Sequence, residues 1–273
     1  MTLLRAVRIY PLYLAGTLIG VVPLILSFVI HGYVTNFHAA FWMAVPFVLL
    51  MFPSPGFGVL GNVYPLNIPA WSLFFELVAN VVWFCAGRHV TRWRLASFVA
   101  ISAIGIWCVR EQLGGGWNHD SFLVGFVRVS FSFFTGVLLF DIWGIAGHLK
   151  VPAGLFFLVV FVSVVLTAPE SYRVFVVLLF YPAVVLLAAR STVGPRSLRV
   201  FTFLGTVSYP LYVIHVPFLG LLVAVMAKFG YATPSLLISS LALAGLAVTC
   251  IALERYFDHP IRQELARKFN LKR

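Results

Sequence analysis

Charge is scarce in this chain. Asp, Glu, Lys and Arg make up 10% of the 273 residues, and only 8 of those are acidic. A soluble domain carries roughly a quarter charged residues. So sparse a set cannot cover a water-facing surface, which excludes an ordinary soluble domain. Cysteine is scarce too. Cys85, Cys108 and Cys250 are odd in number, far apart and set in or beside apolar runs. That excludes a disulfide framework, a metal knuckle or a Cys-x-x-Cys redox centre, and the three read as buried small hydrophobes. The chain has no Gly-rich phosphate loop, paired-His metal motif or Ser-His-Asp spacing, so neither a metal nor a bound cofactor is expected. Polar and apolar residues do not alternate, which excludes a membrane β-barrel. No repeat, heptad or low-complexity tract stands out, and residues 1–273 read as a single membrane domain. The stretch after Arg8 is too long for a signal-peptide core and lacks a cleavage site, so it reads as a retained first span.

What the chain has instead is apolar length. Hydrophobic residues reach 62% and mean hydropathy is +1.01. They fall in runs of about 17 to 25 residues, the length that crosses about 30 Å of hydrocarbon as a helix. Inside lipid each backbone amide must be satisfied within its own segment, so an all-α transmembrane bundle is expected. Eight spans are predicted, at about Tyr10–Ile30, Trp71–Gly87, Leu95–Val109, Phe122–Phe140, Val151–Ala168, Val174–Ala189, Phe203–Ala227 and Leu236–Leu253. A ninth apolar piece, Phe41–Phe52, is short and holds Pro46; it reads as re-entrant or interfacial. The uncharged, Gly/Pro-rich stretch Pro53–Pro69 reads as an ordered outer loop.

Net charge is +11. The basic residues lie between the apolar runs, where they set orientation and meet anionic lipid heads, so membrane lipids rather than nucleic acid are the expected partners. With eight spans and a cytoplasmic N-terminus, fifteen of the 19 Lys and Arg residues fall on the cytoplasmic side. Arg110, Arg173 and Lys228 fall outside, and Arg128 lies within a span. If Phe41–Phe52 crossed as well, that bias would vanish. Both termini are therefore expected inside.

Ionisable groups inside hydrocarbon cost about 2.5–3.5 kcal/mol each on insertion scales and persist where they face protein or a wet cavity. Glu76 lies about a turn and a half into its span, with Trp71 and Ser72 on neighbouring faces. It suits either an ion pair between helices or a bound hydroxyl. Arg128 cannot lose its proton and needs a carboxylate, a phosphate or several carbonyls; Glu76 is one candidate partner and an anionic ligand another. His215 is deep in its span, the one side chain there that titrates near neutrality. Ser208 and Tyr212 lie near its face, and Pro210 and Pro217 loosen the local backbone bonding. Glu254 closes the last span and is expected to pair with Arg255 or a cytoplasmic-loop arginine. On these residues alone the chain is a polytopic transporter or membrane enzyme, or a structural membrane subunit.

Several segments, in order, resemble the acyltransferase-3 family of polytopic membrane O-acyltransferases. They are Arg5-Ala-Val-Arg8-Ile-Tyr-Pro11, Asn67-Ile-Pro-Ala-Trp71-Ser-Leu-Phe-Phe-Glu76, Arg128-Val-Ser-Phe-Ser-Phe-Phe-Thr-Gly136, Leu204-Gly-Thr-Val-Ser-Tyr-Pro-Leu-Tyr-Val-Ile-His215 and Glu254-Arg-Tyr-Phe-Asp-His-Pro260. The resemblance implies transfer of an acyl group from a cytoplasmic acyl-CoA type donor to a hydroxyl of a surface polysaccharide, glycolipid or similar acceptor, in a bacterial inner membrane. It implies donor and acceptor contacts from Arg5, Arg8, Trp71, Ser72, Glu76, Arg128, Ser208 and Tyr212. The family's first two spans, with an Arg and, about ten residues on, a His taken as general base, have no counterpart here. The chain is thus expected to be an N-terminally truncated member, with the activity of this chain alone in question. His215, its only deep imidazole, is the candidate for proton transfer. The rival reading is a transporter or flippase of glycans or lipids that uses the same buried groups.

Overall fold

The computed structural model describes residues 2–31, 36–55, 61–143, 153–165, 170–189, 191, 193–231 and 233–269. Among these residues every regular element is helical. The helices are α1 (Thr2–His31), α2 (Asn36–Leu49), α3 (Ala70–Ala86), α4 (Arg92–Cys108), α5 (Phe122–Trp143), α6 (Ala153–Val165), α7 (Glu170–Phe175), α8 (Tyr181–Ala189), α9 (Pro195–Lys228), α10 (Leu236–Leu253) and α11 (His259–Lys268). A helix falls on each predicted span. Four stretches are long and apolar enough to cross a membrane: Phe122–Ile142, Tyr172–Ala189, Pro195–Lys228 and Leu236–Lys268. Large apolar side chains such as Phe140, Val223, Leu236 and Val248 stand exposed along them. A helix apolar on all sides needs lipid or protein around it, not water. The chain is an all-α integral membrane protein. Val151, Pro152 and Leu166–Ala168 of the fifth predicted span lie outside the described residues, as do 56–60 of the predicted outer loop.

The helix ends depart from the apolar runs. α9 starts at Pro195, before the predicted span, and α10 runs on into α11 through the π-helical turn Glu254–Asp258. Apolar runs mark the part that suits hydrocarbon; helices continue into charged turns such as Arg196–Arg199, whose residues are good helix formers. Ser235 caps α10 by accepting from the Ile238 amide at 3.3 Å. Gly230, at φ +77°, ends α9, with its amide on the Ala227 carbonyl and the Tyr231 amide on that of Met226.

The chain divides into two compact units. The first holds Met1–Leu77, Trp117–His119 and Phe203–Arg273; the second holds Val78–Gly116 and Asp120–Thr202. In the first, α1 packs against α11, and Gly16 and Gly20 let other chain segments close on α1. A Cβ on Gly20 would lie 1.8 Å from the Leu66 carbonyl oxygen, and one on Gly16 would lie 2.6 Å from the Val213 side chain. Small residues one turn apart serve such close approaches in membrane helices. The 61–63 segment runs antiparallel to 117–119, with the Val63 amide on the Trp117 carbonyl and the His119 amide on that of Gly61.

In the second unit α4 and α5 pair antiparallel. Arg92 meets Asp141 at 2.6 Å, Phe98 meets Phe134 edge-on at 4.9 Å, and Gly105 lies against Val127. Ile106, Phe131 and Val174 form the buried centre. Of the cysteines, Cys250 is buried, but Cys85 and Cys108 are exposed on the protein's surface. The expectation of three buried thiols is corrected for those two: a small apolar side chain gains as much from facing lipid as from facing a core.

Candidate functional site

In the first unit Ile68, Pro69, Trp71, Trp117, Tyr212, His215 and Val216 line a cleft of about 400 Å³. That size suits a small-molecule fragment, and the predominantly apolar wall with a few polar groups is the usual composition of such sites. Three elements build it. The turn before α3 presents Pro69, α3 presents Trp71, and α9 presents Tyr212 and His215. Trp117 arrives on the segment paired with 61–63.

His215 defines the chemistry of the cleft. Its Nδ1 lies 2.8 Å from the Tyr212 carbonyl oxygen and 3.1 Å from that of Leu211. Carbonyl oxygens only accept, so Nδ1 carries the proton and donates. In the neutral ring the lone pair is then on Nε2, which is the arrangement of a base or acceptor. Pro217 removes a backbone donor in the same stretch of α9, where interior prolines break the ladder.

Ser72 and Tyr212 are brought together, with their hydroxyl oxygens 2.5 Å apart. Tyr212 also lies 3.0 Å from the Pro69 carbonyl, and Ser72 lies 3.3 Å from it. Trp71 packs edge-on to Phe75 at 5.9 Å. Of the residues expected to act together, Trp71, Ser72, Tyr212 and His215 are therefore neighbours. Ser208 is not with them: its side chain is exposed and donates to the Gly205 carbonyl at 2.9 Å, back along its own helix.

A second polar group of the same unit gathers charge. Arg262 pairs with Glu254 at 2.5 Å and with Asp258 at 2.8 Å. Asp258 is fully buried. Neither of its oxygens takes a directed hydrogen bond, so the second contact is an attraction of charges at a poor angle. The wide π turn rotates less per residue than an α turn. Glu254 thereby comes round to the face of Arg262, eight residues on. The expected partners of Glu254, Arg255 or a loop arginine, are corrected: the pair is with Arg262, and Arg255 lies over the Tyr256 ring. Arg8 on α1 interacts electrostatically with Asp258, and Tyr209 with Asp258, Glu76 and Arg8. Tyr209 also donates to the Ile9 carbonyl. Glu76 and Arg8 thus lie within electrostatic reach of Tyr209. Arg5 lies on α1, with its side chain outside the described residues. Arg128 belongs to the second unit, where it donates to the Gly115 carbonyl.

Asp258, Arg262 and Tyr209 were not singled out from sequence. The Glu254, Asp258, Arg262 spacing, four residues each, was the available signal, one that marks a shared helix face. It was hidden because the apolar run stops at Leu253. Compared with known proteins, the chain matches no family model, no curated protein and no solved structure.

Proposed function

We propose that this protein is a membrane O-acyltransferase of the acyltransferase-3 type. It moves an acyl group from an acyl-CoA type donor to a hydroxyl of a surface polysaccharide, glycolipid or similar acceptor. The observation that carries this reading is the placement of His215: Nδ1 lies within hydrogen-bond reach of the Tyr212 carbonyl, and the ring lines a cleft with Trp71 and Trp117. A base must reach the proton that it removes, and His215 is the imidazole that lines this cleft.

The step follows from that placement. Nε2 of His215 takes the proton of the acceptor hydroxyl as its oxygen attacks the thioester carbonyl carbon. The C–O bond forms, the C–S bond breaks, and the thiolate leaves with the proton returned from the imidazolium. Tyr212 and Ser72 position the ring and the acceptor. Arg5 and Arg8 are the candidate contacts for donor phosphates. No metal or bound cofactor enters this scheme.

The membrane setting belongs to the same proposal: eight spans, α2 as a re-entrant or interfacial helix, both termini cytoplasmic, in a bacterial inner membrane. The excess of basic residues on one side supports it. Cysteine-accessibility labelling on a Cys-free background should find the Arg88–Arg94 loop reactive from the cytoplasm only; labelling from outside overturns the topology.

The test of function is transfer of labelled acyl groups from acyl-CoA to endogenous glycan or lipid in membranes. His215→Gln should abolish transfer with the protein still folded and inserted. Transfer at the wild-type rate in that variant overturns the mechanism. Uptake or flipping of a glycan or lipid without any acylated product would favour a transporter.

A further inference from the structure

The second unit holds a cleft that the transferase reading does not use. Trp83, Arg92, Trp93, Val137, Phe140 and Asp141 line a space of about 510 Å³, a size in the range of ligand sites. It lies at the end of α5, within which Phe122–Ile142 is long and apolar enough to cross a membrane. Asp141 is the next-to-last residue of that stretch, which places the cleft at headgroup depth. Its walls are fixed by packing. α4 and α5 pack together, and Trp83 of α3 meets Phe134 edge-on at 6.2 Å. Phe140 is strongly exposed and carries the apolar wall outward, and Trp93, 81% exposed, stands beside it.

The cleft carries one cation and one anion side by side. Arg92 Nε donates to Asp141 Oδ2 at 2.6 Å, and both side chains are about half exposed. That contact uses one guanidinium donor and one carboxylate oxygen. Most of the fork and the second oxygen, Oδ1, are left to serve a ligand. Arg92 and Trp93 are also the first two residues of α4. The leading amides of a helix have no carbonyl inside it to bond, and such an end favours an anionic group. A ligand that is only an anion is opposed here by Asp141, and one that is only a cation by Arg92. A ligand that carries both charges, close together, is opposed by neither.

We propose that this cleft binds a zwitterionic phospholipid whose cation is a primary ammonium, as in phosphatidylethanolamine. The phosphate lies on Arg92 and the first amides of α4, the ammonium on Asp141, and the acyl chains along Val137 and Phe140. A guanidinium matches phosphate geometry, and an ammonium N–H on a carboxylate is a charge-assisted bond. Ethanolamine sets its ammonium two carbons from a phosphate oxygen, so the two charges reach neighbouring partners. A choline headgroup has no N–H to give Asp141, and a glycerol headgroup has no cation. Trp83 and Trp93 are rings of the kind that gather at headgroup level. The exposed Arg92–Asp141 pair is worth little by itself, so admitting the headgroup between the charges costs little. The proposal rests on α5 as a membrane span and not on acyl transfer.

The experiment uses the full-length protein in detergent, titrated calorimetrically with short-chain phosphatidylethanolamine, phosphatidylcholine and phosphatidylglycerol, and with glycerophosphoethanolamine, the headgroup without chains. Phosphatidylethanolamine should bind in preference to the other two lipids and at least about tenfold more tightly than the bare headgroup, which lacks the apolar contacts. Asp141→Asn should erase the preference over phosphatidylglycerol. Arg92→Gln should weaken phosphatidylethanolamine by about tenfold or more, the loss of charge-assisted bonds to phosphate. Arg196→Gln/Arg199→Gln, a change of equal charge elsewhere, should leave it unchanged. Both cleft variants remove an exposed pair and should melt close to wild type, so a change in lipid preference reads the site and not the fold. No binding of phosphatidylethanolamine, equal binding of the three lipids, or a preference that survives Asp141→Asn overturns the proposal. A bare headgroup that binds as tightly as the lipid overturns the lipid as occupant.

Discussion

The hydroxyls of Ser72 and Tyr212 lie 2.5 Å apart across 140 residues of sequence. Each has one proton to give, and the Pro69 carbonyl accepts within reach of both. Either tyrosine donates to the carbonyl and accepts from serine, or tyrosine donates to serine and serine to the carbonyl. Both protons are used in either order, so the turn before α3 is tied to α9 by a closed relay. This relay holds the Tyr212 backbone, whose carbonyl in turn holds Nδ1 of His215.

Ser72→Ala and Tyr212→Phe should each lower thermal stability modestly, by about 1 kcal/mol, the usual net worth of such a bond. The double variant should cost less than the sum, because each single change already breaks the shared contact. In the acyl-transfer assay Tyr212→Phe should reduce turnover more than it changes acceptor KM, since its role is to position. Strict additivity of the two stability losses would show that the relay is not formed.

Much of the fold was legible because hydrocarbon imposes one simple rule, an apolar run of fixed length. The runs around Phe122–Phe140 and Leu236–Leu253 coincide with helices for that reason. The site was legible where polar side chains stand out against such runs: Trp71, Ser72, Tyr212 and His215 were each visible, and they meet. Trp117 was not, because it reaches the cleft through backbone pairing of Val63 with its own carbonyl, a contact between distant loops with no periodic signature. For Ser208 face counting does not decide what the hydroxyl does. A serine hydroxyl on a helix readily bonds a carbonyl one turn back, and Ser208 does so with Gly205.

Arg262 pairs with two carboxylates, one of them fully buried Asp258. Arg262→Gln should therefore cost about 3–5 kcal/mol, the penalty for leaving a buried charge uncompensated. Asp258→Asn in the same chain should restore much of that loss by removing the stranded charge. Thermal denaturation of the single and double variants in detergent measures this. If the double variant is less stable than Arg262→Gln alone, Asp258 is not stabilised through Arg262.

Gly20 is required by contact. With the Leu66 carbonyl 1.8 Å from where a Cβ would stand, any side chain forces backbone apart. Gly20→Ala should destabilise by about 1–3 kcal/mol, as overpacking does. Gly220→Ala, whose Cβ would sit in ordinary contact with Pro23 at 3.6 Å, should be nearly neutral. Melting temperatures of the two variants provide the comparison, and equal shifts would remove the close approach of α1 and Leu66.

The end of α2 carries the last prediction. A helix leaves its final carbonyls without partners inside it, and in or near lipid there is little water to supply them. Three tyrosines donate to carbonyls at and just past this end. Tyr13 donates to the Val48 carbonyl, Tyr10 to Leu49 at 2.7 Å and Tyr64 to Met51 at 2.7 Å. Met51 itself holds φ +58°, a left-handed conformation that costs a non-glycine residue about 1–2 kcal/mol. Burial raises the pKa of the Tyr64 phenol above its ordinary value, so the hydroxyl stays a donor at any physiological pH. Tyr64→Phe deletes the bond to the strained residue and strands a buried carbonyl, a loss of about 1–3 kcal/mol. Met51→Gly relieves the backbone but empties the site of a side chain only 5% exposed, and the cavity outweighs the relief. Both variants should melt earlier than wild type. Amide exchange at Leu50, Met51 and Phe52 should rise first in Tyr64→Phe. A Met51→Gly protein more stable than wild type would mean that backbone strain, not packing, dominates this turn.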